Sequence, residues 1–414
     1  MSKISAYLNK TSFFNNETIE FKINSLCKNV NIFIFRFSSS SCVYKNSIKG
    51  NFIQKENKNI FKFIEGYNWI TNFKIDCKNF LYSGLYFIEL KDKSGSYYLC
   101  VNIKNKKNKK NNLVLLNSNT WNAYNNKGGS SFYRYELEQK TKYGPRINKS
   151  GNKIPNFNIG CTFRRPNDII SDDISIYINN NFKIIKDRYS HLLYGELKFL
   201  RYLELNNIKY DLIDDRDLDE KLIDISKYNN LILNCHPEYW SYNMLNNVKV
   251  NANNIISLAG NVSYCKILWN KKEDIIYGRV GYFKSILLKN VTGSYYDCKG
   301  YNTFHPYKIL EKDNSLFKGI KNDYLGESSL YFKEGNSGHE TDKKIKNLNI
   351  KILSKGTNPD NGWGDILLFD IEKTLSLKKR KILSVGSVVF TNGCFVDINT
   401  EIFLKNVIQI FGMK

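Results

Sequence analysis

An α/β fold preceded by an all-β module is what the sequence predicts, on three observations. The first hundred residues alternate apolar and polar side chains with period two. From residue 112 short apolar runs alternate with amphipathic helical stretches, and a basic run lies between the two patterns. In the first pattern, FKINSL, NVNIFIFRF, GNFIQ, NIFKFIEGY and GLYFIELKD read as strands separated by Asn, Ser, Gly and Lys clusters. Lys93-Ser94-Gly95-Ser96 makes the turn into SYYLCVNIK. Short strands at even spacing with no helical period predict an immunoglobulin-like β-sandwich over residues 1–103. The run from Lys104 to Lys110 predicts a solvated basic linker, residues 104–111.

Residues 112–414 then read as β-α alternation. Leu113-Val114-Leu115-Leu116 is wholly apolar, as a strand covered on both faces must be. A polar insertion follows, through Gly128-Gly129, Pro145 and Arg164-Arg165-Pro166. Leu192, Leu193, Leu197, Leu200 and Leu203 share one stripe and predict a helix. KYDLID, NNLILNC and NNIISLAG are further strands, and SYNMLNNVKV is a helix carrying Met244, Leu245 and Val248. KRKILSVGSVVF reads as a late strand and TEIFLKNVIQIF as a closing helix. Such alternation predicts right-handed crossovers and a parallel sheet flanked by helices.

Composition sets the bounds. Hydrophobic residues make up 42% and charged residues 24%, which excludes wholesale disorder. The net charge is +23, but Asn is roughly one residue in seven, far above ordinary usage, with Lys, Ile, Tyr and Phe also abundant. A uniform bias of that kind loads Lys onto any solvated face, so nucleic acid is not the expected partner. The nine cysteines include no CxxC pair, which argues against a zinc finger, and a chain of this length needs no disulfide scaffold. MSKISAYLNKTSFFNNE lacks a signal-peptide core, and no apolar run reaches membrane-spanning length. A cytoplasmic, reduced setting away from membranes is the expectation.

Ligands of open α/β sheets bind outside the carboxyl ends of the strands, where loops and helix N-termini meet. Three loops reach that edge here: Asn117 to Tyr133, His236 to Ser241, and Ala259-Gly260-Asn261. In HPEYWS, Pro237 stops the strand and Ser241 can cap the next helix, which holds His236 and Glu238 on a tight turn. His moves protons near neutral pH, and Glu ligates metals or acts as base; a capping Glu and a satisfied loop His is the structural reading of the same residues. Tyr124 and Tyr133 are packing residues or, as phenolates, hard donors for a ferric ion. Cys235 sits where a glutamine-amidotransferase-like fold keeps a nucleophile, but it adjoins His236, and consecutive strand residues face opposite ways. Arg164 and Arg165 read as an anion clamp or a solvated turn. Asp214-Asp215-Arg216-Asp217 reads as a helix cap before a cation site.

Taken in order, NTWNAYNNKGGSSFY, RRP, HLLYGELKFLRYLE, YDLIDDRDLDE, HPEYWS, AGN, GHE and ILSVGSVVF resemble the C-terminal region of the N,N-dimethylformamidase large (beta) subunit. SGLYFIEL resembles the end of the β-sandwich that precedes it in such proteins. The resemblance implies a flavodoxin/glutamine-amidotransferase-like domain with a mononuclear iron site, hydrolysing a small linear amide. It implies Glu238 as metal ligand and catalytic group, His236 as its catalytic partner, and Tyr124 as a second ligand. Tyr133 or Tyr194 supplies the third. Asn261 would hold the developing oxyanion, and a small partner subunit or a homo-oligomer is implied. The competing expectation is a non-catalytic carbohydrate- or protein-binding module on an enzyme-like fold.

Overall fold

The computed structural model describes residues 4–55, 62–80, 82–104, 110–133, 146–147, 153–154, 160–186, 188–327, 335–373 and 378–414. Most of the predicted linker, and Pro145, lie outside the described residues. The fold is mixed α/β with many strands, in two compact units that interleave along the chain. One comprises Met1–Asn108, Ser118–Lys183 and Cys265–Gly281; the other comprises Lys109–Asn117, Ile184–Tyr264 and Tyr282–Lys414. Segments 118–183 and 265–281, which the sequence reading places in the α/β part, thus group with the N-terminal strands.

Period-two patterning sets up the first unit. Along Thr18–Asn24 half-buried and buried residues alternate strictly, so Ile19, Phe21 and Ile23 share one face. That strand lies between Ser5–Leu8 and Phe73–Asp76 in a three-stranded antiparallel sheet. A five-stranded sheet runs in the order Ser12–Phe14, Gly95–Lys104, Gly84–Asp92, Asn29–Arg36, Cys42–Lys49. Its neighbours are antiparallel except the first pair, Ser12–Phe14 and Gly95–Lys104. The two sheets enclose one apolar core, with Ile19, Phe21, Val30, Ile32, Ile34, Ile88 and Val101 each fully buried. The helix Asp168–Asn179 belongs here because it is tied to those strands: Ser171 Oγ accepts from the Tyr98 N–H at 2.9 Å, and the Tyr177 hydroxyl donates to the Phe37 carbonyl at 3.1 Å.

In the second unit a nine-stranded sheet begins with five parallel strands, ordered Tyr210–Asp214, Asn112–Leu116, Asn230–Cys235, Asn254–Ala259 and Lys379–Ser384. Numbered along the chain, that order is 2-1-3-4-5. Four antiparallel strands extend it: Asp365–Glu372, Ser354–Gly356, Tyr307–Ile309 and Tyr324–Leu325. The apolar runs predicted as covered strands are covered: Asn112–Leu116 and Asn230–Cys235 are buried at every position. The predicted leucine stripe forms the helix Leu193–Leu205, with Leu193, Leu197, Leu200 and Leu203 fully buried. The helix Tyr242–Asn251 starts as expected at Ser241, whose Oγ accepts from the Met244 N–H at 3.1 Å. The acidic cluster caps a helix, with Asp214 and Asp217 in reciprocal hydrogen bonds of 3.0 and 3.1 Å. Among the described residues no helix is long and apolar enough to cross a membrane.

Candidate active site at the carboxyl edge of the parallel sheet

The strand Asn230–Cys235 ends in a sharp bend. Cys235 adopts a left-handed backbone, φ 61°, which cysteine tolerates only where surrounding structure holds it. Around it the Gly260 N–H donates to the Cys235 carbonyl, Glu238 to that of His236, and Ser263 to that of Pro237. The bend therefore sends successive side chains apart. Cys235 Sγ lies 3.9 Å from the Ser190 carbonyl, while His236 turns toward a carboxylate. Gly260 belongs to the same construction: a Cβ there would strike the Val388 nitrogen and the Glu340 carbonyl, so only glycine lets the Glu340 segment close on the bend.

That carboxylate is the residue the motif reading left without a role. His236 is fully buried, and its Nε2 lies 2.9 Å from Glu340 Oε2 and 3.4 Å from Glu238 Oε2. Burial alone would depress the imidazole, but the hydrogen bond and charge of Glu340, with Glu238 and Asp342 behind it, lift it above its ordinary value. Burial likewise pushes Glu340 up, yet the hydrogen bonds from His236 and Asn261 prevail and hold its carboxyl below the usual range. Asn261, itself left-handed at φ 54°, donates from Nδ2 to Glu340 Oε2 at 2.7 Å. The same nitrogen stands 3.4 Å from His236 Nε2. Since a carboxylate only accepts, this contact fixes which end of the Asn261 amide is nitrogen. That amide nitrogen is engaged by Glu340, which makes Asn261 a holder of the acid more than an open oxyanion donor.

Rings enclose the pair. His191 stacks on His339 with centroids 4.9 Å apart and meets His236 edge-on at 5.7 Å; Tyr189 and Tyr301 also contact His339. Burial holds both outer imidazoles neutral, taking His339 down to about 4 and His191 well below its ordinary value. Tyr296 is a third phenol-bearing neighbour, kept protonated by burial and by the charges of Glu340 and Glu238.

The other candidates sort differently. Tyr124 and Tyr133 belong to the first unit, where their rings stack at 4.1 Å. Tyr194 is fully buried, and its hydroxyl accepts from the Ile185 N–H at 2.8 Å, a structural tie. Arg165 is neither a clamp nor a solvated turn: its buried guanidinium donates to the carbonyls of Asn122, Lys127, Ser130 and Thr162 and knots that loop together. Arg164 reaches the Lys272 carbonyl. Among the described residues no group of three or more His, Cys, Asp or Glu side chains could hold a metal ion.

Glu340, Asp342, His191, His339 and Tyr296 were not singled out from sequence. Glu340 and His339 carried a signal as residues of the GHE motif, and His191 opens the HLLYGELKFLRYLE motif.

Comparison with known proteins adds a family. No curated protein matches the chain. Among solved structures, the multi-modular cell-surface chitinase ChiW from Paenibacillus sp. str. FPU-7 aligns at 12% identity over 81% of this chain, with a TM-score of 0.19. The chain spans about a third (35%) of that protein's length, and the likeness is too slight to bear on fold or function. The family described as N,N-dimethylformamidase beta subunit-like, C-terminal, matches residues 48–286. It takes in the HPEYWS bend and the AGN turn and stops short of Glu340. As that match spans more than half of the 414 residues, the chain belongs to the N,N-dimethylformamidase beta subunit-like C-terminal family.

Proposed function

We propose that the chain is a hydrolase of small amides whose proton-transfer pair is His236 and Glu340. The observation that carries this reading is the 2.9 Å contact between a fully buried imidazole and a carboxylate at the end of a central parallel strand. Position supports it: in a flavodoxin-type sheet of order 2-1-3-4-5, ligands bind where the order reverses, and Asn230–Cys235 flanks that point. Chemistry supports it too. A lifted imidazole holds a proton near neutral pH and can pass it to a departing amine, then take one from water in the return step. Glu340 sets the imidazole's orientation and offsets its charge. The neutral wall of His191 and His339 adds no competing cation.

Family membership brings an iron site into the reading. The donor chemistry fits: Glu238 is a buried carboxylate, and Tyr124 and Tyr133 are adjacent phenols, all hard oxygen donors suited to a ferric ion. Bound iron would supply Lewis acidity toward the amide carbonyl. The resemblance assigns the role of ligand to Glu238, Tyr124 and Tyr133, and Tyr194, with its hydroxyl engaged by Ile185, is the weaker choice.

Elemental analysis of the purified protein, with hydrolysis of formamide, N-methylformamide and N,N-dimethylformamide followed by amine release, tests the whole reading. About one iron per chain is expected, lost in Glu238→Ala. His236→Asn is expected to keep the iron and lose about 10²–10⁴ in kcat, the range for a removed general acid-base. Iron-free protein without turnover on any of the three amides would overturn the proposal in favour of a recognition module.

A further inference from the structure

A further buried acid stands beside the His236–Glu340 pair. Asp342 is fully buried at the start of the strand Asp342–Lys344, opposite Tyr296 in an antiparallel pair. Its Oδ1 accepts the backbone N–H of Asn261 at 2.7 Å. Its Oδ2 is also buried and meets no donor among the described residues. Burial pushes the carboxyl up to about 7; the Asn261 and Val262 N–H groups and His236 pull it down, and Glu340 pushes it up. Tyr307 also senses its charge.

The geometry gives this acid a task. Asn261 and Ser263 both stand in the left-handed region, at φ 54° and 47°, a conformation that non-glycine residues keep only when tertiary bonds hold them. The Asn261 N–H is anchored on Asp342, and from that anchored backbone its side chain reaches Glu340 at 2.7 Å. The Asp342 N–H in turn is fixed on the Gly386 carbonyl at 3.0 Å. A carboxyl raised to about 7 offers the needed acceptor oxygen while carrying less negative charge beside Glu340 than an ordinary aspartate would.

We propose that Asp342 is a positioning residue: its carboxyl oxygen holds the Asn261 turn, and through the Asn261 amide it keeps Glu340 against His236. The catalytic consequence rests on the hydrolase reading, whereas the relay of contacts does not, and the experiment separates the two. Asp342→Asn keeps an acceptor oxygen at Oδ1 and removes the titratable group; Asp342→Ala removes both. Crystal structures of the two variants come first. With Asn, the Asn261 Nδ2 to Glu340 contact is expected to stay near its present length. With Ala, Asn261 is expected to leave its left-handed conformation and that contact to open beyond hydrogen-bonding reach. An unchanged contact in Asp342→Ala overturns the proposal, whether or not the protein turns over any amide. Kinetics on N-methylformamide follow. Asp342→Ala is expected to lose at least tenfold in kcat with little change in KM, and Asp342→Asn to restore kcat to within about threefold. Equal losses in both variants would make Asp342 a purely structural residue and also overturn it. Should Asp342→Ala fail to fold, Asn261→Ala tests the next link: full turnover in that variant ends the relay.

Discussion

Two buried regions of this chain are built on opposite terms. Between the sheets of the first unit the interior is almost wholly apolar: Ile19, Phe21, Ile23, Val30, Ile32 and Ile34 have no exposed surface. Around the end of Asn230–Cys235 the fully buried residues include Asn234, His236, Asn261, Ser263 and Asp342, with Glu238 2% exposed. Equal burial has unequal consequences. Each apolar side chain withdrawn from water contributes about 25 cal/mol per Å² to stability, whereas a buried polar group costs free energy until a partner is found. What burial yields in the second region is altered proton affinity: one imidazole lifted, two depressed, and an aspartate raised into the neutral range. Stability is concentrated in one place and spent as chemistry in the other.

The comparison breaks most visibly at Glu340. Truncating one member of a buried ion pair strands the other, a loss of about 3–5 kcal/mol where the remaining charge persists. Glu340→Ala is therefore expected to destabilise the chain by that order below neutral pH and to bring the His236 titration down toward or below the ordinary imidazole value. Urea unfolding and NMR of the four histidines read the two effects. A His236 titration unmoved by the change would mean that Glu238, at 3.4 Å, is its real partner. The matching change in the apolar region is Ile32→Ala, expected to cost about 2–5 kcal/mol through lost burial and a cavity. It should leave every histidine titration where it was, because its neighbours carry no charge. A shift at His236 there would show that the two regions are energetically coupled.

The same contrast explains what could be read in advance. The first region writes itself into the sequence, since one buried face forces alternation, and TIEFKIN or NVNIFIFR needs no partner to be recognised. Parallel strands were equally plain, being apolar throughout. At the second region only the residues next to strand ends were legible: His236 and Glu238 after Asn230–Cys235, Asn261 after Asn254–Ala259. Glu340 comes 79 positions after Asn261, flanked by Ser337–Gly338 and Asp342–Lys344, strands too short to leave a period. His339 enters the site through a left-handed backbone, φ 65°, that no local pattern announces. Arg165 misled for a related reason, because a guanidinium spent on four carbonyls and one aimed at an anion have the same sequence.

The finest test of the contrast lies in how stability follows pH. Asp342 is raised from 3.8 to about 7, so the folded chain keeps a proton that the unfolded chain gives up. Its contribution therefore falls as pH climbs between those values. Asp365, raised to about 6, acts in the same sense. His339 runs the other way: lowered from 6.5 to about 4, it lends stability that is complete above 6.5 and lost as pH falls toward 4, and His191 acts with it. His236 and Glu340 add little slope between about pH 4.5 and 6.5, since the first is protonated and the second ionised in both states across that window. The opposing slopes thus offset one another in the parent chain. Asp342→Asn deletes one of them, and the variant is expected to gain on its parent by about 1.4 kcal/mol for each pH unit across that window. Urea midpoints at constant m measure the difference. Parallel curves would mean that the Asp342 carboxyl titrates alike in the folded and unfolded chain, and the edge of the parallel sheet would then be no more able to hold a proton on an acid than water is.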